Sequence, residues 1–130
     1  MEDFVPFEIA KKLKEKGFPQ HITEDAYIID NYGENEYQIG DRLPIPLIPD
    51  YMDDIAAPTI SQVLKWLREE KKIHIIVEIS DSGWYYTLYP NVRWENGKLK
   101  SDKYIMSFKH KVSYKQAALA GIDYVLDNLI

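Results

Sequence analysis

The chain has 130 residues, 45% hydrophobic and 28% charged, which supplies apolar material for one folded domain and too little length for two of ordinary size. No apolar run approaches the ~18 residues of a membrane span, the acidic opening MEDFVPFEIAKK is not expected to act as a secretory leader, and the lack of Cys excludes disulfides, thiolate metal sites and cysteine nucleophiles. The net charge of −5 is uneven, with 13 acidic and 5 basic residues in 1–58 against 8 and 11 in 59–130, so the halves can pair within the fold or between copies, or simply form solvated surface.

The first predicted element is a helix over about 6–16. Pro6 suits a first helical turn, where its missing N–H costs nothing. Phe7, Ala10 and Leu13 recur at helical spacing with Ile9 beside them, while Lys11, Lys12, Lys14 and Glu15 face water. Gly17 is placed to take a positive φ after the last turn. Phe18 can then fold back, and Pro19 forbids continuation.

Residues 20–58 read as largely extended. Ala26–Ile29 and Tyr37–Ile39 form two short candidate strands across a turn at Asn31–Asn35. Pro44, Pro46 and Pro49 then exclude a helix or a central strand. Leu43, Ile45, Leu47, Ile48 and Ile55 are expected to pack that segment down.

Thr59-Ile60-Ser61-Gln62 has the form of a capping box and opens a helix over about 60–71. Ile60, Val63, Leu64 and Leu67 make its apolar stripe, widened by Trp66, and Lys71 and Lys72 lie at the negative end of its dipole. A strand over about 73–79 follows, with Ile73, Ile75, Val77 and Ile79 on one face and His74, Ile76 and Glu78 on the other. Asp81-Ser82-Gly83 turns the chain into a second strand over about 84–89, where Trp84, Tyr86 and Leu88 oppose Tyr85, Thr87 and Tyr89. Asn96-Gly97 marks another tight turn, and a third strand is expected over about 103–109. Ser113-Tyr114-Lys115-Gln116 is a second capping box, opening a helix over about 114–129. Its small residues Ala117, Ala118, Ala120 and Gly121 let it lie close on a sheet.

The expectation is a single α+β domain spanning 1–130. It is a two-layer sandwich of three helices and an antiparallel sheet of three or more strands.

Ala57-Pro58-Thr59, Gln62–Glu69, Ile73-His74-Ile75, Trp84-Tyr85-Tyr86, Tyr114, Gln116–Leu119 and Gly121–Leu126 together resemble a family of small uncharacterised proteins of Bacteroides-type gut bacteria, often encoded in prophages or other mobile elements. The likeness covers roughly the C-terminal 75 residues well and the N-terminal half loosely. It implies a bacterial, cytoplasmic setting, phage-encoded in some members, and carries over no catalytic or binding residue.

No catalytic constellation is recognisable. His21, His74 and His110 fit no close metal-ligand spacing, and His110 sits between Lys109 and Lys111. The acids cluster at Asp50, Asp53 and Asp54 and at Asp30, Glu34 and Glu36. Neither group has an apolar pocket, and the second lacks the residue order of a calcium loop. There is no nucleophile elbow, P-loop or dinucleotide-binding glycine motif, so no cofactor, metal or small-molecule substrate is indicated. The aromatics are the distinctive feature: Tyr85, Tyr89, Trp94 and Tyr104 gather with Arg93, the residue types that make contact surface at low entropy cost. The competing explanation is an ordinary half-covered sheet face with its hydroxyls in water.

The leading reading is therefore a non-enzymatic interaction protein, taking a protein partner or a second copy on the surface of Tyr85, Tyr89, Arg93, Trp94 and Tyr104. The alternative is nucleic-acid binding. Residues 59–129 read α-β-β-β-α, as in double-stranded-RNA-binding domains, with Lys109, Lys111 and Lys115 near the start of the last helix. The acidic net charge argues against it.

Overall fold

The computed structural model describes residues 3–20, 25–29, 37–41, 55–107 and 109–130, with the backbone course alone for 25–29 and 37–41. The chain gathers into two compact units, Glu2–Thr59 and Ile60–Ile130.

In the first unit, helix α1 (Phe7–Glu15) begins one residue later than the sequence suggests. Pro6 is the N-cap rather than a helical residue: its ψ of 161° is extended, and its carbonyl accepts from the Ile9 and Ala10 N–H groups. The C-terminus is a Schellman turn, with Gly17 at φ +90°. Phe18 N–H donates to the Leu13 carbonyl at 2.9 Å and Gly17 N–H to the Lys14 carbonyl at 3.2 Å. Leu13 and Phe18 are both buried, as that fold-back requires. Strands β1 (Asp25–Ile29) and β2 (Tyr37–Asp41) pair antiparallel, as the short apolar runs suggest. A two-residue strand β3 (Ile55–Ala56), not foreseen in the sequence, pairs with the other edge of β1. Gln20 accepts the Ala56 N–H on its side-chain oxygen and donates from its amide to the Phe18 carbonyl, tying the end of α1 to β3. The prolines at 44–49, the acidic clusters, His21 and the expected turn at 31–35 lie outside the described residues.

The second unit is an α+β arrangement in two layers. Helix α2 (Ile60–Glu70) buries Ile60, Val63, Trp66 and Leu67 and leaves Lys65 and Glu69 in solvent, as its stripe predicts. Leu64, at the edge of the stripe, is half-buried. Lys72 takes a left-handed φ of 58°, which turns the chain directly into the sheet.

Strands β4 (His74–Ser80) and β5 (Gly83–Tyr89) form a regular hairpin from His74 opposite Tyr89 to Ser80 opposite Gly83. After β5 comes a small hairpin of its own, β6 (Arg93–Glu95) and β7 (Lys98–Lys100), and then β8 (Ile105–Met106) on the far side of β5. Asn96 and Gly97, at φ 53° and 76°, make the two-residue turn of the small hairpin, the tight turn that the Asn-Gly pair predicts.

The third strand is much shorter than the expected 103–109, because the ladder slips. Ser107 pairs with Tyr86, donating its N–H to the Tyr86 carbonyl and accepting the Tyr86 N–H on its hydroxyl. The next bridge joins Lys111 to Trp84, so four residues advance on one side against two on the other. That mismatch is a bulge, and it ends regular pairing.

Helix α3 (Tyr114–Asn128) is capped by Ser113, whose hydroxyl accepts the Gln116 N–H at 3.2 Å. It lies on the sheet through Ala117, Ala118, Gly121, Ile122, Val125 and Leu126, all buried. Gly121 is the point of closest approach: a Cβ there would sit 3.2 Å from both the Ile75 methyl and the Tyr86 ring. The covered face of the sheet carries Ile75, Leu88 and Tyr86, and α2 packs beside α3 and against β4. Ile79, at the end of the expected apolar face, is 64% exposed, beyond what the helices cover.

Candidate functional site

Strand alternation sends the remaining β4 and β5 side chains to the face opposite α3. There His74 stands opposite Tyr89, Ile76 opposite Thr87, and Glu78 opposite Tyr85. Met106 joins them through its pairing with Thr87. Thr87 is the one buried polar residue of the described chain, at the centre of this face between Ile76 and Met106.

Two aromatic groups form on it. At one end the Tyr85 hydroxyl donates to the Glu78 carboxylate at 3.0 Å, and the His110 ring meets the Tyr85 ring edge-on at 5.4 Å. The hydrogen bond to Glu78 favours the protonated phenol and pushes Tyr85 above its ordinary pKa, with desolvation and the carboxylate charge acting the same way. At the other end the Tyr89 and Tyr104 rings lie 6.0 Å apart.

Beside Tyr89 the small hairpin borders an open cleft of about 350 Å³. His74, Ile76, Tyr89, Val92, Leu99 and Lys100 line most of it. The hairpin is held at its base by Asp102 N–H on the Pro90 carbonyl, and by Val92 N–H on the Lys72 carbonyl. His74 is held below its ordinary pKa, first by burial and then by the Arg68 charge, so its imidazole favours the neutral form.

The five residues singled out by composition divide into two kinds. Tyr85, Tyr89 and Tyr104 share the sheet face. Trp94 is 75% exposed on the small hairpin, paired with Leu99 at 62%, so the two project from the same side of that ribbon. Arg93 turns to its own hairpin instead: its guanidinium binds Glu95 at 3.3 Å, Asp102 at 3.2 Å and the Asn91 carbonyl at 3.0 Å. Arg93 therefore braces the base from which Trp94 is presented.

Lys109 and Lys115 are exposed near the start of α3, while Lys111 is half-buried with its backbone bridged to Trp84.

Sequence reasoning missed Ile76, Leu99, Val92 and Met106 as parts of this surface. The alternation already put Ile76 with His74, and an Asn-Gly turn between short polar runs could have indicated the hairpin that carries Leu99. Among the described residues, no group of three His, Asp or Glu side chains could hold a metal ion. No helix among them is long and apolar enough to cross a membrane.

No family model, curated protein or solved structure matches this chain.

Proposed function

We propose that the chain is a non-enzymatic interaction protein, a cytoplasmic accessory of a bacterial phage or mobile element, and that it takes a protein partner on the helix-free face of the β4–β5–β8 sheet. The observation that carries this reading is the set of exposed apolar and aromatic side chains on and beside the helix-free face. Leu99 lines the cleft and Trp94 pairs with it on the small hairpin, while Tyr104 and Met106 are exposed on the face itself, beside the half-buried Tyr85, Tyr89 and Ile76. Grouped exposed apolar surface that includes Tyr and Trp is the composition of a contact site, whereas single exposed apolar residues are ordinary. A braced β-ribbon beside the cleft adds a rigid wall, which lowers the entropy lost when a partner is held.

The test is isolation of binding proteins from the bacterial host, followed by titration of the purified partner against the native chain and Trp94→Ala, Leu99→Ala and Tyr104→Ala variants. Loss of at least about tenfold in affinity, with unchanged circular dichroism, is expected for each hot-spot residue. A partner whose affinity ignores all three substitutions refutes the reading. Sub-micromolar binding of duplex RNA, lost on replacing Lys109, Lys111 and Lys115 with Ala, replaces it with nucleic-acid recognition.

A further inference from the structure

The two edges of the β4–β5–β8 sheet are unlike each other. Strand β8 is guarded in the ways that keep sheet edges from pairing: it is two residues long, a bulge interrupts it, and Lys109 and Lys111 follow it. Strand β4 has none of these guards. It runs seven residues without proline, lysine or bulge, and its register with β5 is unbroken from end to end.

The direction of its free backbone groups follows from the ladder. On β5, Trp84 and Tyr86 direct their N–H and C=O groups toward β8 and its continuation. Backbone direction alternates along a strand, so Tyr85, Thr87 and Tyr89 bond to Glu78, Ile76 and His74 of β4. The N–H and C=O groups of Ile75, Val77 and Ile79 therefore point outward from the sheet. None of the three has a hydrogen bond there among the described residues.

We propose that β4 is a self-pairing edge, and that two copies of this chain join β4 to β4 antiparallel about a two-fold axis at Ile76. The result is one continuous six-stranded sheet. The register is chosen by side-chain matching. With Ile76 opposite itself, Ile75 faces the second copy's Val77 and His74 faces its Glu78. Every pair is apolar with apolar, or imidazole with carboxylate, and each non-central pair occurs twice by symmetry. Moving the axis to Val77 would instead set Ile76 against Glu78 on both sides. In the Ile76 register, Ile75 and Val77 exchange both of their outward backbone bonds with the second copy. The backbone bonds of the pairing lie at the edge of the sheet, and its His74, Ile76 and Glu78 side chains border the helix-free face; Trp94, Leu99 and Tyr104 take no part in it.

The test is sedimentation velocity of the full chain from about 10 µM to about 1 mM, joined to amide exchange by NMR at both ends of that range. A monomer–dimer equilibrium is expected. The Ile75 and Val77 amides slow with concentration, while those of Ile76 and Glu78, already bonded to β5, do not change. Val77→Pro removes an outward N–H without touching the β4–β5 ladder, and weakens the dimer at least about tenfold. Should that variant fail to fold, Glu78→Lys decides instead: it weakens the dimer by setting an ammonium against His74, and adding His74→Glu restores it, because the ammonium then faces a carboxylate. Trp94→Ala and Tyr104→Ala leave the dimer intact. A chain that stays monomeric to about 1 mM, a dimer that tolerates Val77→Pro, or an E78K defect that His74→Glu does not rescue overturns the proposal.

Discussion

Gly83 sits where two constraints meet, and Gly83→Ala should be among the costliest single-methyl additions in this protein. Its φ of +123° lies outside the left-handed helical well that other residues occasionally enter. Holding alanine there costs about 1–3 kcal/mol. The added methyl would also stand 2.7 Å from the Lys111 carbonyl oxygen and 3.4 Å from the His110 Cβ. That oxygen cannot simply withdraw: it accepts the Trp84 N–H at 2.9 Å, and the Lys111 N–H returns a bond to the Trp84 carbonyl at 2.7 Å. Loosening this bridge forfeits two backbone hydrogen bonds at about 1 kcal/mol each. The sum is a destabilisation of about 3–5 kcal/mol. Gly97 is the internal comparison. Its φ is +76° and nothing lies within 4 Å of the position a Cβ would take, so Gly97→Ala should cost only about 1 kcal/mol. Urea unfolding followed by tryptophan fluorescence measures both, and all three tryptophans (Trp66, Trp84 and Trp94) report on the Ile60–Ile130 unit. If Gly83→Ala costs no more than Gly97→Ala, the close approach of Lys111 is not a constraint and the reasoning fails.

Three further outcomes follow from the same geometry. Leu67 is fully buried in α2, and Leu67→Ala should lose about 2–5 kcal/mol in the same urea assay; under 0.5 kcal/mol would contradict its place in the core. Glu78→Gln should bring the Tyr85 phenol back down toward 10.0, read as a lowered Tyr85 transition in an ultraviolet pH titration, because the carboxylate that favours the protonated hydroxyl is gone. Burial keeps the His74 pKa below 6.5 in the folded chain, so the unfolded chain binds the proton more readily. Stability from this site is therefore present above about pH 6.5 and lost as pH falls below it. His74→Gln should flatten that part of the pH–stability curve relative to the native chain, and an unchanged slope would refute the assignment.

What could be read from the sequence was local. The stop of α1 at Gly17 and Phe18 depends on residues within one turn of one another, and the Schellman bonds formed where glycine and a fold-back apolar residue were placed for them. Ser113 capped α3 for the same reason. The two faces of the β4–β5 hairpin followed from alternation on either side of the Asp81-Ser82-Gly83 turn; the structure narrows the loop to Asp81 and Ser82, with Gly83 already paired to Ser80. So Tyr85 and Tyr89 could be assigned to one face before any contact was known.

The remainder depended on distant partners. The shortening of β8 arises where Ser107 offers a hydroxyl in place of a carbonyl and the ladder resumes only at Lys111, and no periodicity in 103–109 signals that slip. Ile79 continues the apolar alternation, yet lies in solvent because helix coverage ends before it. Arg93 has the composition of a contact residue and is instead drawn to Glu95, Asp102 and the Asn91 carbonyl at the base of its hairpin. Strands β1, β2 and β3 form a sheet of their own in the order β2-β1-β3, separate from β4-β5-β8, a choice that short strands of similar composition do not encode. Pattern and capping describe what a segment can do with its immediate neighbours. Which edge stays open, and which face stays uncovered, is decided only when segments far apart in the chain compete for the same backbone bonds and the same apolar surface.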